Sequence, residues 1–264
     1  MTLSTPQNPL AKVLPFLVLG LCAVTIGVLQ FSQVRSLQQT QTAQVYQEQV
    51  QQERLRLQLL QQLPSFGFDN LIADWTFLQY LQYFGDDEAR AETGYDLALD
   101  YLDLVIDRDP RFLGAYDFLA TAGSIYAAEP QKTDEIIERG LQSVTPRVPE
   151  RSYYIWRQKA INELLFLENA QAEAQRSFQK AAEWASVYED EESQFVAEFS
   201  RQTALFLENN PESKVAKVGA WALVLQNTSD ERAQARAIEA IQSLGGSVQV
   251  AENGQFIVLP PSQD

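Results

Sequence analysis

The chain has 264 residues, 45% of them hydrophobic, enough to bury a sizeable core in one or two domains. It contains no histidine, one cysteine (Cys22) and no methionine beyond Met1, which excludes most zinc and transition-metal sites, every Ser-His or Cys-His nucleophile pair and any disulfide within the chain. The net charge of -15 is unevenly placed: residues 1–52 hold only Lys12, Arg35 and Glu48, leaving 18 basic and 34 acidic groups, a balance of -16, for the rest. Nucleic-acid phosphates and anionic headgroups repel so acidic a domain, and the expected partners are proteins with basic or mixed surfaces, not nucleic acid.

After an N-terminal tail, residues 1–12, no charged side chain occurs from Val13 to Val34. At about 1.5 Å per helical residue, Val13 to Phe31 covers roughly the hydrocarbon thickness of a bilayer, and residues 13–31 are expected to form a single transmembrane helix. Pro15 falls in its first turn, where a missing N–H does little harm. A cleaved signal peptide is the competing reading, although its apolar region is usually shorter and no A-x-A site follows here. A lipoprotein reading places Leu21, a large residue, just before Cys22; in the anchor reading Cys22 is a small apolar residue within the membrane. Lys12 and the amino terminus against Arg35 favour a cytoplasmic N-terminus by about one charge. The C-terminal domain is then expected outside the cytoplasm, periplasmic or lumenal; a cytoplasmic domain is the alternative.

Residues 32–63 are glutamine-rich and free of glycine and proline. Ala43, Tyr46, Val50, Leu57 and Leu60 fall on a and d positions of one heptad frame, interrupted by Glu53, which predicts a helical or coiled-coil stalk. Such a stalk either pairs with a second copy, giving a homo-oligomer, or spaces the domain from the bilayer; polyglutamine-like disorder is a third reading.

Pro64 ends this helix, and Asp69 or Asn70 is placed to cap the next. Trp75 and Leu78 have a W-x2-L spacing, and Ala98, Leu102, Val105 and Pro110 follow in a second helix after an acidic stretch, GDDEARAETG, predicted as an inserted loop. Leu119, Gly123 and Tyr126 follow in FLGAYDFLATAGSIY, paired with the apolar stripe Ile136, Ile137, Leu141 and Val144 and closed by Pro146. Ala174, Phe178 and Ala181 show an A-x3-F-x2-A spacing. Over about Leu71 to Asn227 the chain resembles the tetratricopeptide-repeat (TPR) family, whose paired helices carry small and aromatic residues at these positions. The resemblance implies an all-α, TPR-like solenoid of helical hairpins over residues 66–227, preceded by the membrane helix and stalk. The helices SQFVAEFSRQTALFLENN and PESKVAKVGAWALVLQN, with Pro211 near a helix start, are expected as a degenerate fourth repeat. Residues 228–246 read as a capping helix ending at Gly245-Gly246, and residues 247–264 as a short β-hairpin and tail turning at Asn253-Gly254. A lone hairpin is marginal in water, and this one should pack on the helices or on another chain.

The resemblance implies a concave groove lined by the first helix of each pair. By position its candidates are Tyr80 and Tyr83, Asp117 and Ser124, and Trp156, Lys159, Glu163 and Phe166, an aromatic and charged lining suited to an extended or helical peptide. Lys159 is the only clear basic candidate, which leaves the family's carboxylate clamp without its cations. The clusters Asp86-Asp87-Glu88 and Glu189-Asp190-Glu191-Glu192 lack the alternating calcium-loop pattern and read as solvated loops. No phosphate loop or nucleophile elbow occurs; no enzyme activity, metal or cofactor is expected. In its high glutamine content and acidic repeats the chain also resembles anchored repeat proteins of bacteria, some of which help assemble photosynthetic complexes; this implies a bacterial inner membrane with the C-terminal domain periplasmic, or alternatively a photosynthetic (thylakoid) membrane. The TPR resemblance implies a scaffold for subunits of a membrane complex; a self-associating structural protein is the alternative.

Overall fold

The computed structural model describes residues 43–228, 231–251 and 254–261, so the expected N-terminal tail, the membrane helix and the first part of the stalk lie outside the described residues. The chain separates into two compact units, residues 1–46 and 47–264; the packing that follows belongs to the second. It is mostly helical with one two-stranded sheet, and among the described residues no helix is long and apolar enough to cross a membrane.

The glycine- and proline-free segment forms helix α1 (Ala43–Gln62). From Gln47 onward it is not a free stalk. Leu57 is buried, and with half-buried Val50 and Leu60 it packs on the cluster that holds Tyr80, Leu102 and Tyr116. Glu53, the break in the heptad frame, accepts a hydrogen bond from Tyr101 Oη at 2.5 Å and one from Arg56 Nη2 at 2.6 Å. From Val50 to Leu60 the stripe that looked like a coiled-coil seam packs on the chain's own domain, with a carboxylate where the domain offers a phenol. Arg108 closes the end of α1: its Nη2 donates to the carbonyls of Leu60 (2.6 Å), Gln61 (3.0 Å) and Leu63 (2.9 Å), which have no partner within the helix. Arg108→Met should cost about 1.5–3 kcal/mol, the range for hydrogen bonds to a charged group. Hydrogen exchange should rise over residues 57–63 and stay unchanged in the last two helices.

Helix α2 (Asp69–Gly85) follows Pro64, but neither Asp69 nor Asn70 caps it; Phe68 holds the cap position, and Asp69 accepts instead from Ser65 Oγ at 2.7 Å. It buries Ala73, Thr76 and Tyr80 and packs along helix α4 (Ala98–Arg108). The acidic stretch between them is not a loop. Asp86 accepts from the Ala89 amide at 3.1 Å and starts helix α3 (Asp87–Thr93), where acidic groups suit the positive end of the helix dipole.

Helix α5 (Leu113–Leu119) continues without a break into a π-helical segment, Ala120–Tyr126, and helix α6 (Pro130–Leu141) packs across it. The approach is close enough that a Cβ at Gly123 would fall inside contact with Thr133 Oγ1 and lie 2.7 Å from Leu99 Cδ2. Helices α7 (Tyr153–Phe166) and α8 (Gln171–Ala185) form a long antiparallel pair in which Ala174, Phe178 and Ala181 are all buried. Helix α9 (Glu191–Asn209) packs along α8, its amino end capped by Asp190, which accepts from the Ser193 amide at 3.0 Å.

The rest departs from the expected fourth pair. Helix α10 (Lys214–Asn227) starts past Pro211, with Ser213 Oγ accepting from the Ala216 amide at 3.1 Å. It makes few contacts with α9 and packs instead on helix α11 (Glu231–Ser243) and back onto α7. Nor does α11 cap the far end of a stack: Arg232 donates to Tyr95 Oη at 2.7 Å and pairs with Asp87, and Arg236 donates to the Ile125 carbonyl. Gly245, at φ +88, ends it. Strands β1 (Ser247–Val250) and β2 (Phe256–Leu259) pair antiparallel with Ser247 opposite Leu259, and Val248, Phe256 and Val258 pack on Val218, Ala237 and Ile241 of the last two helices.

Candidate functional site

The return of α10 toward α7 encloses a cavity of about 540 Å³. Its walls are α5 with the π-helical segment (Asp117, Thr121, Ile125), α7 (Tyr154, Arg157, Phe166), the start of α9 (Glu192, Phe195) and α10 (Leu223, Asn227). One end is apolar: Phe166 meets Trp221 edge to face at 5.3 Å.

The charged groups differ in what already holds them. Glu192 accepts from Tyr154 Oη at 2.7 Å and pairs with Arg151, and these bonds hold its carboxyl below the usual range. Asp117, exposed at the cavity mouth, accepts from Gln158 Nε2 at 3.2 Å, and the crowding around it raises its carboxyl despite that bond. Arg157 has no carboxylate or hydrogen-bond acceptor among the described residues. Its Nε is buried without a partner, its guanidinium lies 5.5 Å from the Tyr154 ring centroid, and burial lowers its pKa. A guanidinium stays protonated even so, and the cavity lining therefore offers an unmatched cation and, separately, a carboxylate that has one neutral donor. This pairing suits a ligand carrying both an acceptor and a donor.

Of the eight residues expected in the groove, Asp117 and Phe166 line this cavity. Tyr80 is fully buried, ringed by Phe77, Phe84, Tyr101 and Phe118, so it does not face a groove. Tyr83 is half-buried elsewhere: its Oη accepts from the Leu97 amide at 3.1 Å and Arg90 lies over its ring at 3.6 Å. Ser124 is buried and donates to Asn162 Oδ1 at 2.5 Å, tying the π-helical segment to α7. Trp156 packs edge to face on Trp184 at 5.8 Å, its indole N–H buried with no partner among the described residues. Lys159 and Glu163 are buried, with Lys159 Nζ 2.6 Å from Asp134 and 3.1 Å from Glu163, so this pair is structural rather than groove-lining. Helical phase separates the two cations: Lys159 stands two residues, about 200°, from Arg157 and faces α6 while Arg157 faces the cavity. Arg157 was open to discovery in the run YYIWRQK as a cation in an apolar stretch; the contribution of α10 had no local signal.

Both acidic clusters sit at helix starts, and among the described residues no group of three or more His, Cys, Asp or Glu side chains could hold a metal ion. Comparison of the chain with protein-family models, with curated proteins and with solved structures finds no match.

Proposed function

We propose that the chain is a membrane-anchored, TPR-like scaffold. Residues 13–31 hold it in the bilayer, and the cavity between α5, α7, α9 and α10 takes a mixed-charge segment of a protein partner, a subunit of a membrane complex. The single observation that supports this reading most is Arg157, a cation in the cavity wall with no acceptor among the described residues, where the lining carboxylates Glu192 and Asp117 both have donors. A partner carboxylate would meet the guanidinium in a charge-assisted hydrogen bond, while a partner donor meets Asp117 and an apolar side chain enters beside Phe166. The TPR-like reading draws on the α2–α4 and α7–α8 pairs, where buried Ala98 and Leu102, and Ala174, Phe178 and Ala181, occupy the family's small and aromatic positions. Self-association through the stalk is the weaker alternative, because Leu57 is covered within its own domain.

The test uses the full chain, solubilised from its own membranes, with a photo-crosslinking residue at Thr121. Arg157→Leu should reduce crosslinking to membrane-complex subunits by about tenfold, the loss of roughly one charge-assisted hydrogen bond, whereas Arg176→Leu, at an exposed site paired with Glu173, should leave it unchanged. The same partners captured equally from wild type and Arg157→Leu would sink the assignment.

A further inference from the structure

The exposed sides of α1 and α2 both carry large apolar side chains: Leu55 and Leu59 along α1, continued by Leu63 just past its end, and Leu71, Trp75 and Leu78 along α2. Phe66 and Phe68 occupy the turn between them. All eight side chains are between 53% and 84% exposed. The opposite sides of the same helices bury Leu57, Ala73 and Tyr80, so both helices are apolar on two faces, and only one face is used inside the domain. From Leu55 to Phe84 the only charged residues are Arg56, Asp69 and Asp74. Arg56 is paired with Glu53 and Asp69 with Arg108, which leaves Asp74 at the margin of the second stripe.

We infer that this face rests on the bilayer surface, with Phe66, Phe68 and Trp75 entering the interfacial layer. The inference rests on the reading of residues 13–31 as a membrane anchor. The charge-free run from Val13 to Val34 lies in the chain outside the described residues and ends shortly before α1. The 11 residues from Ser32 to Thr42 that separate this run from α1 could reach about 16 Å as a helix and about 36 Å extended. A bend anywhere in that tether lets α1 lie along the membrane instead of standing on it. Tethering makes contact with the bilayer intramolecular, so a modest apolar face suffices. Trp, Phe and Leu beside a nearly uncharged surface suit the interfacial region. The strongly acidic remainder favours zwitterionic over anionic lipid.

The full chain in phosphatidylcholine vesicles tests this, with an environment-sensitive thiol fluorophore quenched by nitroxide lipids of graded depth. Three probe positions are compared: native Cys22, and in a Cys22→Ser background Gln62→Cys, between the stripes, or Gln179→Cys, at an exposed position of α8. The expected result is deep quenching at residue 22, at least fivefold stronger shallow quenching at 62 than at 179, and loss of the signal at 62 in Phe66→Asp/Phe68→Asp/Trp75→Glu. Those three side chains are exposed, so unchanged circular dichroism should accompany the loss. Adding anionic lipid should weaken quenching at 62. Equal quenching at 62 and 179 with Cys22 deeply quenched would overturn the docking and leave the anchor intact. Loss of quenching at all three sites overturns both readings. A probe at 62 that is shielded only as protein density in the vesicle rises, without lipid quenching, assigns the face to a second copy and likewise overturns the inference.

Discussion

Replacing Lys159 by methionine is expected to destabilise the fold by about 3–5 kcal/mol at pH 7, the cost of removing one partner from a buried ion pair. Lys159 Nζ lies 2.6 Å from Asp134 Oδ2, 3.1 Å from Glu163 Oε1 and 3.2 Å from Glu138 Oε2, and the Lys159 and Glu163 side chains are only 8% and 3% exposed. Burial alone would lower the ammonium, but the hydrogen bond to Asp134 and the charges of Glu163 and Asp134 outweigh it and hold Lys159 above its ordinary pKa. Glu163 is displaced the other way: burial raises its carboxyl above the usual range, against lowering by the nearby Ser177 hydroxyl and the charge of Lys159.

The sign of the pH dependence follows. A carboxyl raised by burial disfavours the folded state above its folded pKa, and that penalty is relieved as pH falls toward the ordinary carboxylate value. With Lys159 gone, Glu163 carries a larger penalty, so the deficit of the variant should shrink as pH falls from 7 toward 5, and Lys159→Met/Glu163→Gln should recover most of the loss at pH 7. Urea unfolding of the solubilised full chain, followed by tryptophan fluorescence, measures both. A deficit below about 1 kcal/mol, or one independent of pH, would show that the three carboxylates are not held by this lysine.

Gly140→Ala should cost about 2–3 kcal/mol, at the upper end for overpacking. A Cβ at position 140 would overlap the Tyr116 hydroxyl and lie 2.8 Å from Cζ. Tyr116 cannot swing aside without cost, since its ring is buried and its Oη donates to the Pro110 carbonyl at 2.8 Å. Tyr116→Phe alone loses that hydrogen bond, about 1 kcal/mol, yet it removes the atom nearest the new methyl. The double variant should therefore be more stable than the sum of the two single losses by at least about 1 kcal/mol. Additive losses would mean that α5 and α6 separate to admit the methyl.

Much of the helical framework was legible because local patterns repeat at the helical period. The Ala174, Phe178, Ala181 spacing marks a buried face, Gly123 marks a close crossing, and the alternation around Asn253-Gly254 marks the hairpin. The acidic stretch at 86–94 was misread because Asp86 and Asp87 suit a helix start as well as a loop. The site was legible only in part. Asp117 and Phe166 reach the cavity, whereas Tyr80, Lys159 and Glu163 share their helical periodicity with surface residues and are buried by neighbours distant in sequence.

Composition and periodicity suffice to say that the chain is acidic, that it carries a charge-free apolar run before its helical region, which segments form helices and where most of those helices stop. That α1 packs on its own domain, that α10 turns back to α7 beside a cavity, and that Arg157 rather than Lys159 faces into it all depend on contacts between distant segments. The reason is that periodicity identifies which face of a helix must leave water, while the partner that covers that face is chosen by packing among segments far apart in the chain. On the outer side of α1 and α2 that choice leaves two apolar stripes uncovered within the domain.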